Sequence, residues 1–247
     1  MENKYHKIDN LDKLQPGDHT VLIYEKEEDT HSSLVSFIRA SLLRGEKCFY
    51  IEGDTNTEFL IKTLKKNMEN FTQYIDSSQV QFLTKEETYA LSKEFKADKM
   101  IKMIKDLTET ALEEGYTGLS ITGELSWVLN FEGGKEEIIE YEWKLNERVF
   151  NEYPVVALCR YNLNKFDQDI IKAVLELHDY IIWQDRIHEN PYYIEPDGYK
   201  NNDVVDYEIK AWLENIQKYK KRESVFKERL EEKESEYEFL FNQISDA

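Results

Sequence analysis

Gly118-Leu119-Ser120-Ile121-Thr122-Gly123-Glu124-Leu125-Ser126-Trp127-Val128-Leu129 is the stretch on which the reading of this chain turns. A short apolar strand, with Leu119 and Ile121, leaves a turn built on Gly115 and Gly118 and stops at Gly123-Glu124. In an open α/β sheet, ligands sit outside the carboxyl ends of the strands, which is where this reading puts Glu124. A carboxylate there can hold a metal-bridged phosphate, act as a general base, or accept hydrogen bonds from a small ligand. The choice among these depends on the rest of the chain.

Upstream, the polar residues 1–18 end in the turn Gln15-Pro16-Gly17-Asp18, and His19–Tyr24 is β-branched and apolar enough for a buried strand. An acidic loop, Glu25–Asp29, follows, with Thr30 as N-cap candidate. Leu34, Phe37, Ile38, Ser41 and Leu42 recur at helical spacing and close at Arg44-Gly45. Lys47–Glu52 is a second strand, and a helix carrying Phe59, Leu60, Thr63, Leu64 and Met68 comes next. Val80–Thr84 is a third strand. Asp98 can cap the helix of Ile101, Ile104, Leu107, Thr108 and Leu112 that leads to the opening stretch.

Downstream, Gly133-Gly134 starts a helix bearing Ile138, Ile139, Trp143, Leu145 and Val149. Pro154 introduces Val155–Tyr161, the most continuous apolar run of the chain. A helix over Ile170–Leu177 and a strand over Tyr180–Trp183 complete the series. Short strands alternating with helices imply βαβ units, so the expected fold is α/β, a mainly parallel sheet with helices on both faces. Residues 1–187 form that domain, 188–202 an extended connector without periodicity whose Tyr192, Tyr193 and Ile194 can dock back on it, and 203–247 a long helix. In that helix Ile209, Trp212, Ile216, Tyr219, Glu223, Phe226, Leu230, Lys233, Tyr237, Leu240 and Ile244 fall on alternating three- and four-residue steps. The spacing predicts a dimeric coiled coil, with Glu223 and Lys233 as polar seam positions that can set register. A solvated amphipathic helix folded on its own domain is the alternative.

A formal charge of −18 disfavours nucleic acid and anionic membrane surfaces as partners. No apolar run approaches the roughly 18–20 residues that cross a bilayer, and the start, Met1–His6, lacks the apolar core of a signal peptide. A cytoplasmic protein is expected. Cys48 and Cys159 each lie in an apolar strand and read as buried free thiols, with a redox or metal role as the alternative. The five histidines show no metal-ligand spacing; neither a metal nor a cofactor is expected.

A phosphate-binding loop needs glycines whose N–H groups converge, a lysine and a hydroxyl. The turn after the first strand, Glu25–Thr30, has no glycine and four carboxylates. No G-x-G-x-x-G follows any strand, and neither a G-x-S-x-G elbow nor a nucleophile–His–acid set is apparent. What accumulates at the strand ends is a polar and aromatic set suited to a small-molecule pocket: Tyr24 and Glu25, Glu52 and Asp54, Glu124, then Arg160 with Tyr161, and Trp127 as a roof. His19, at the mouth of the first strand, is either a half-buried residue bonded to its turn or part of a site. For any one of these residues a structural role, such as an ion pair between Arg160 and Glu124, is an equal alternative; as a set they favour a pocket.

Gly17-Asp18-His19-x-x-x-x-Tyr24, Arg44-Gly45-Glu46-x-Cys48-x-Tyr50-Ile51, Gly123-Glu124-Leu125-Ser126-Trp127 and Ala157-Leu158-Cys159-Arg160-Tyr161 together resemble the MEDS domain. This is the methanogen/methylotroph sensory domain also found in the dichloromethane dehalogenase regulator, and the resemblance covers about residues 14–186. It implies a RecA/KaiC-like fold without a phosphate loop, an archaeal methanogen as a source, and a non-enzymatic input module that senses small hydrocarbon derivatives. On that basis His19, Tyr24, Glu124, Trp127, Cys159, Arg160 and Tyr161 are ligand-binding candidates, with Glu52 added from the strand-end reading. The terminal Phe239–Ala247 resembles the opening of a PAS domain, which implies further PAS and histidine-kinase domains of a two-component system beyond it. A nucleotide-binding enzyme using Glu124 as base and a ligand-free dimerisation scaffold are the competing expectations.

Overall fold

The computed structural model describes residues 11–53, 56–84, 87, 95–195 and 212–218, and scattered helical positions between 220 and 234. Seven strands make one sheet: β1 (His19–Tyr24), β2 (Lys47–Ile51), β3 (Val80–Leu83), β4 (Leu119–Glu124), β5 (Val155–Asn162), β6 (Tyr180–Trp183) and β7 (Arg186–Glu189). Their order is β3-β2-β4-β5-β1-β6-β7. Every neighbouring pair is parallel except the β6–β7 hairpin. Between them lie α1 (His31–Arg44), α2 (Thr57–Asn67), α3 (Phe71–Asp76), α4 (Ala97–Glu113), α5 (Gly134–Arg148) and α6 (Gln168–Leu177).

Both faces of the sheet are covered, which is why β1, β2 and β5 are buried along their whole length. One face packs Val21, Ile23, Phe49, Ile121, Ala157 and Tyr161 against α4, α5 and α6. The other packs Leu22, Tyr24, Tyr50, Val156 and Leu158 against α1, α2, α3 and the amino-terminal turn at Leu11–Lys13. Successive strand residues point to opposite faces, so each strand contributes alternate residues to two separate cores.

The helix ends follow the local chemistry. α1 closes in a Schellman pair, with Gly45 N–H donating to Leu42 O and Glu46 N–H to Ser41 O; Gly45 takes the left-handed backbone this requires. Arg44 then grips the Glu46 carboxylate, Nε to Oε1 at 2.8 Å, tying the helix exit to β2. The N-cap side chains of Asn56 and Asp167 accept from Phe59 N and Ile170 N. The helix expected to reach Met68 stops at Asn67, and α3 is a separate short helix.

The chain divides into two compact units, Met1–Pro196 and Asp197–Ala247. The connector expected over 188–202 is ordered structure in its described part. Residues 186–189 pair antiparallel with β6, Asn190 Nδ2 donates to His178 O, and Ile194 is buried with its N–H on Glu176 O. In the second unit residues 212–218 are helical, with Leu213 and Ile216 exposed. Leu230 and Lys233 are also helical and exposed. The seam positions Ile209, Tyr219, Glu223, Phe226, Tyr237, Leu240 and Ile244 lie outside the described residues, as does the PAS-like terminus. No helix among the described residues is long and apolar enough to cross a membrane.

The entry to β4 leaves no room for a side chain at Gly118. A Cβ on Gly118 would stand 2.4 Å from Pro154 O and 3.1 Å from Pro154 Cβ, both fixed by the backbone that leads into β5. Gly118→Ala is therefore expected to lower unfolding free energy by roughly 1–3 kcal/mol, as overpacking does. Urea denaturation would measure it, and an unchanged midpoint would show that β4 and β5 can separate freely.

Candidate functional site

The eight candidate residues do not share one crevice. Strand alternation divides them between two polar clusters on opposite faces of the sheet.

The first lies at the carboxyl ends of the central strands, on the α1–α3 face. Arg160 and Glu124 are register partners on β5 and β4, and both are fully buried. The guanidinium lies over the Tyr50 ring at 4.7 Å, donates Nη1–H to Tyr50 OH at 3.3 Å and bonds Ile51 O through Nη2. Burial works against its charge, but Tyr50, Tyr24 and Glu124 more than offset this and the Arg160 pKa is raised. Glu124 Oε1 accepts Ser126 N–H at 2.9 Å. Among the described residues, two atoms here lack a hydrogen-bond partner: Arg160 Nε and Glu124 Oε2. Such orphaned polar atoms are uncommon in a native interior. Gly53 closes over the group, because a Cβ there would meet Glu124 Cβ at 2.6 Å.

The second cluster lies on the α4–α6 face. His19 begins β1, and its Nδ1 meets Asn146 Oδ1 at 2.9 Å while Nε2 stands 3.4 Å from Cys159 Sγ and 3.2 Å from Glu142 Oε2. Tyr161 OH donates to Glu142 Oε1 at 2.5 Å. The His178 ring stacks 3.7 Å from that of His19, with Nδ1 on Val174 O at 2.7 Å and Nε2 3.7 Å from Glu142 Oε2. Burial would raise the Glu142 carboxyl, but the His19 hydrogen bond, His178 and Tyr161 outweigh it and hold the pKa down. Burial and the Glu142 charge push the Cys159 thiol and the Tyr161 hydroxyl well up. Burial, then His19, takes His178 down to about 3.

Tyr24, Glu124 and Arg160 are thus brought together, while His19, Cys159 and Tyr161 belong to the other face. Glu52 follows the strand whose Ile51 carbonyl holds Arg160; its own carboxylate is occupied by Thr57 Oγ1 at 3.1 Å. Trp127 does not roof Arg160. It donates Nε1–H to Glu124 O and packs edge-on against Phe95 and Phe131, on the α4–α6 side. Asp54 lies outside the described residues. A cavity of about 340 Å³ opens elsewhere, between Leu14, Asp18 and the hairpin residues Tyr180 and Ile187.

Tyr50, Glu142, Asn146 and His178 were missed by sequence reasoning. Glu142 and Asn146 are four and eight residues after Ile138 and sit on the buried side of α5, where Trp143 and Ile139 are only half-buried. A carboxylate and an amide at core-facing positions were the available signal.

The loop after β1 is not a phosphate cradle. Asp29 Oδ2 accepts Lys26 N–H at 2.9 Å and Glu25 N–H at 3.4 Å, so a carboxylate of the loop itself takes amides that a phosphate would need.

The fold is an α/β domain built on a mostly parallel sheet, with a polar cluster buried on each face and a first βα turn whose amides are taken by its own Asp29. A family model described as MEDS, "MEthanogen/methylotroph, DcmR Sensory domain", matches residues 18–179. The chain belongs to this family. It is similar to the transcriptional repressor DcmR of Methylorubrum extorquens, 24% identical over 165 residues, 66% of this chain and 58% of the repressor. The chain therefore spans little more than half the length of that relative. Among solved structures it resembles the uncharacterised protein PH0321 of Pyrococcus horikoshii, determined with an unknown peptide. That likeness has a TM-score of 0.50 and 14% identity, and covers 70% of this chain and 81% of that one. The KaiC-like protein PH0186 of Pyrococcus horikoshii gives a TM-score of 0.47 at 14% identity, covering 72% and 79%.

Removing the Arg160 charge would leave Glu124 buried without its counter-charge. Arg160→Met is expected to destabilise the domain by about 3–5 kcal/mol, and adding Glu124→Gln should restore a substantial part. Urea denaturation of the two variants and Glu124→Gln alone closes the cycle; strict additivity would show that the two groups do not interact.

Proposed function

We propose that this chain is the sensory input part of a signalling protein, and that a small organic molecule is read at the carboxyl-end cluster. Membership of the MEDS family supports the sensing role. The observation that carries the choice of site is the pair of unpartnered atoms, Arg160 Nε and Glu124 Oε2, buried where open α/β sheets receive ligands. One is a donor and the other an acceptor, which suits a compact ligand with an oxygen or nitrogen that can both accept and donate. The aromatic wall of Tyr24 and Tyr50 favours a ligand whose remainder is apolar.

The domain is proposed to be non-catalytic and cytoplasmic. Its output is proposed to travel through a homodimeric coiled coil to PAS and kinase domains that follow, for which exposed Leu213 and Ile216 on the second unit's helix offer the apolar contact. A ligand can bias that output only through its differential affinity for two states. The place proposed for the bistable joint is Asn190–Gly198, of which 196–198 lie outside the described residues.

Scanning fluorimetry against short-chain alcohols, amines, amides and halides tests the ligand reading. At about 100-fold excess over Kd a ligand adds roughly 2.7 kcal/mol, a Tm rise of several degrees, and Glu124→Gln should abolish it. A flat response across the panel favours the ligand-free scaffold. Calorimetry with ATP and magnesium is expected to give no heat; binding or hydrolysis would favour the nucleotide enzyme. A cysteine placed at Ile216 should cross-link between two copies, and its yield should change with ligand.

A further inference from the structure

On the α4–α6 face four metal-ligating side chains converge from four separate parts of the chain: His19 from β1, Glu142 from α5, Cys159 from β5, and His178 from the residue after α6. We propose that they form a closed, four-coordinate site for a zinc-class divalent ion. The site lies across the sheet from Arg160 and Glu124 and does not depend on the ligand reading given above.

The spacing of the donor atoms is the first ground. A tetrahedral ion with bonds of about 2.0–2.3 Å to N, O and S sets its ligand atoms about 3.3–3.8 Å apart. His19 Nε2 lies 3.2 Å from Glu142 Oε2 and 3.4 Å from Cys159 Sγ. Glu142 Oε2 lies 3.6 Å from Cys159 Sγ and 3.7 Å from His178 Nε2. All four atoms fall within 4.8 Å of one another.

The second ground is the way each ligand is held from behind. Val174 O can only accept, so His178 Nδ1 carries the proton and Nε2 keeps its lone pair. Asn146 donates Nδ2–H to Leu177 O at 2.6 Å, which leaves its Oδ1 to accept from His19 Nδ1–H and turns the His19 Nε2 lone pair inward as well. Tyr161 OH occupies Glu142 Oε1, leaving Oε2 for the ion. Metal-bound histidines are oriented by outer partners of this kind.

The third ground is an unmet valence. His178 is fully buried, yet among the described residues its Nε2 has no hydrogen-bond partner. A hydrogen-bonded network of His19, Glu142 and Cys159 alone leaves that atom orphaned, whereas an ion at the centre uses all four. The charge also balances. The ion enters as +2, the Cys159 thiol gives up one proton to solvent, and the thiolate and the Glu142 carboxylate bring the site to neutrality. Two imidazoles, a thiolate and one carboxylate oxygen suit zinc better than calcium or magnesium, which prefer all-oxygen shells.

The test uses the full chain, stripped with a chelator under reducing conditions, confirmed folded by circular dichroism and titrated with cobalt(II), then zinc(II). Expected are one cobalt per chain, the strong visible bands of a tetrahedral ion, a near-ultraviolet thiolate band, and displacement of both by one zinc. Cys159→Ser should lose the thiolate band, and Cys48→Ser, on the opposite face, should leave everything unchanged. Asn146→Ala, which only positions His19, should weaken affinity about 10–100-fold with the stoichiometry kept. X-ray absorption of the zinc-loaded wild type should give one sulfur and three lighter ligands, a readout that holds if a variant fails to fold. A folded wild-type chain that takes up neither ion, a zinc shell without sulfur, or a thiolate band surviving in Cys159→Ser would overturn the proposal.

Discussion

A strand buried on both faces has no solvent-facing side on which to put a polar residue. β5 meets that constraint with four polar or ionisable side chains in succession: Cys159, Arg160, Tyr161 and Asn162, all buried or nearly so. An unpaired charge in such a place costs several kcal/mol, so each face must answer what the strand sends it. On one face Tyr50, Ile51 and Glu124 answer Arg160; on the other Glu142, His19 and Tyr161 share one network with Cys159. The two clusters are the two halves of one alternating sequence; Gly53 closes over one, and α5 supplies Glu142 and Asn146 to the other.

The strand and helix succession was legible because the periods are strong. His19–Tyr24, Val155–Tyr161 and Tyr180–Trp183 read as strands from their β-branched and apolar runs, and those spans are the observed ones to within a residue. Strand order was not legible, since it depends on crossovers that no local pattern encodes. β7 was missed because Arg186–Glu189 is almost wholly exposed and polar; its pairing with β6 follows from the tight turn at Gln184 and Asp185, both with left-handed backbone.

The candidate site was half legible. Residue types were chosen well enough that all eight lie in or beside the central strands, but grouping Cys159 and Tyr161 with Arg160 ignored the alternation that separates neighbours on a strand. Glu142 and His178 escaped because ligand spacing was sought along the chain, while these residues meet His19 and Cys159 only after the crossovers bring α5 and the end of α6 beneath β1. Their sequence separations, 123 and 159 residues from His19 by numbering (142 − 19 and 178 − 19), are invisible to a motif search.

One small feature of the first loop reaches further. Where nucleotide-binding relatives of an α/β sheet leave an anion nest to be filled by a phosphate, this chain folds Asp29 back onto its own amides. A tethered anion is present at an effective concentration no diffusible one can match, so these amides are held by the chain's own carboxylate. A phosphate would have to displace that carboxylate before it could use those amides. The first βα turn becomes a fixed abutment, and any movement that reports an outside molecule has to arise elsewhere in the domain.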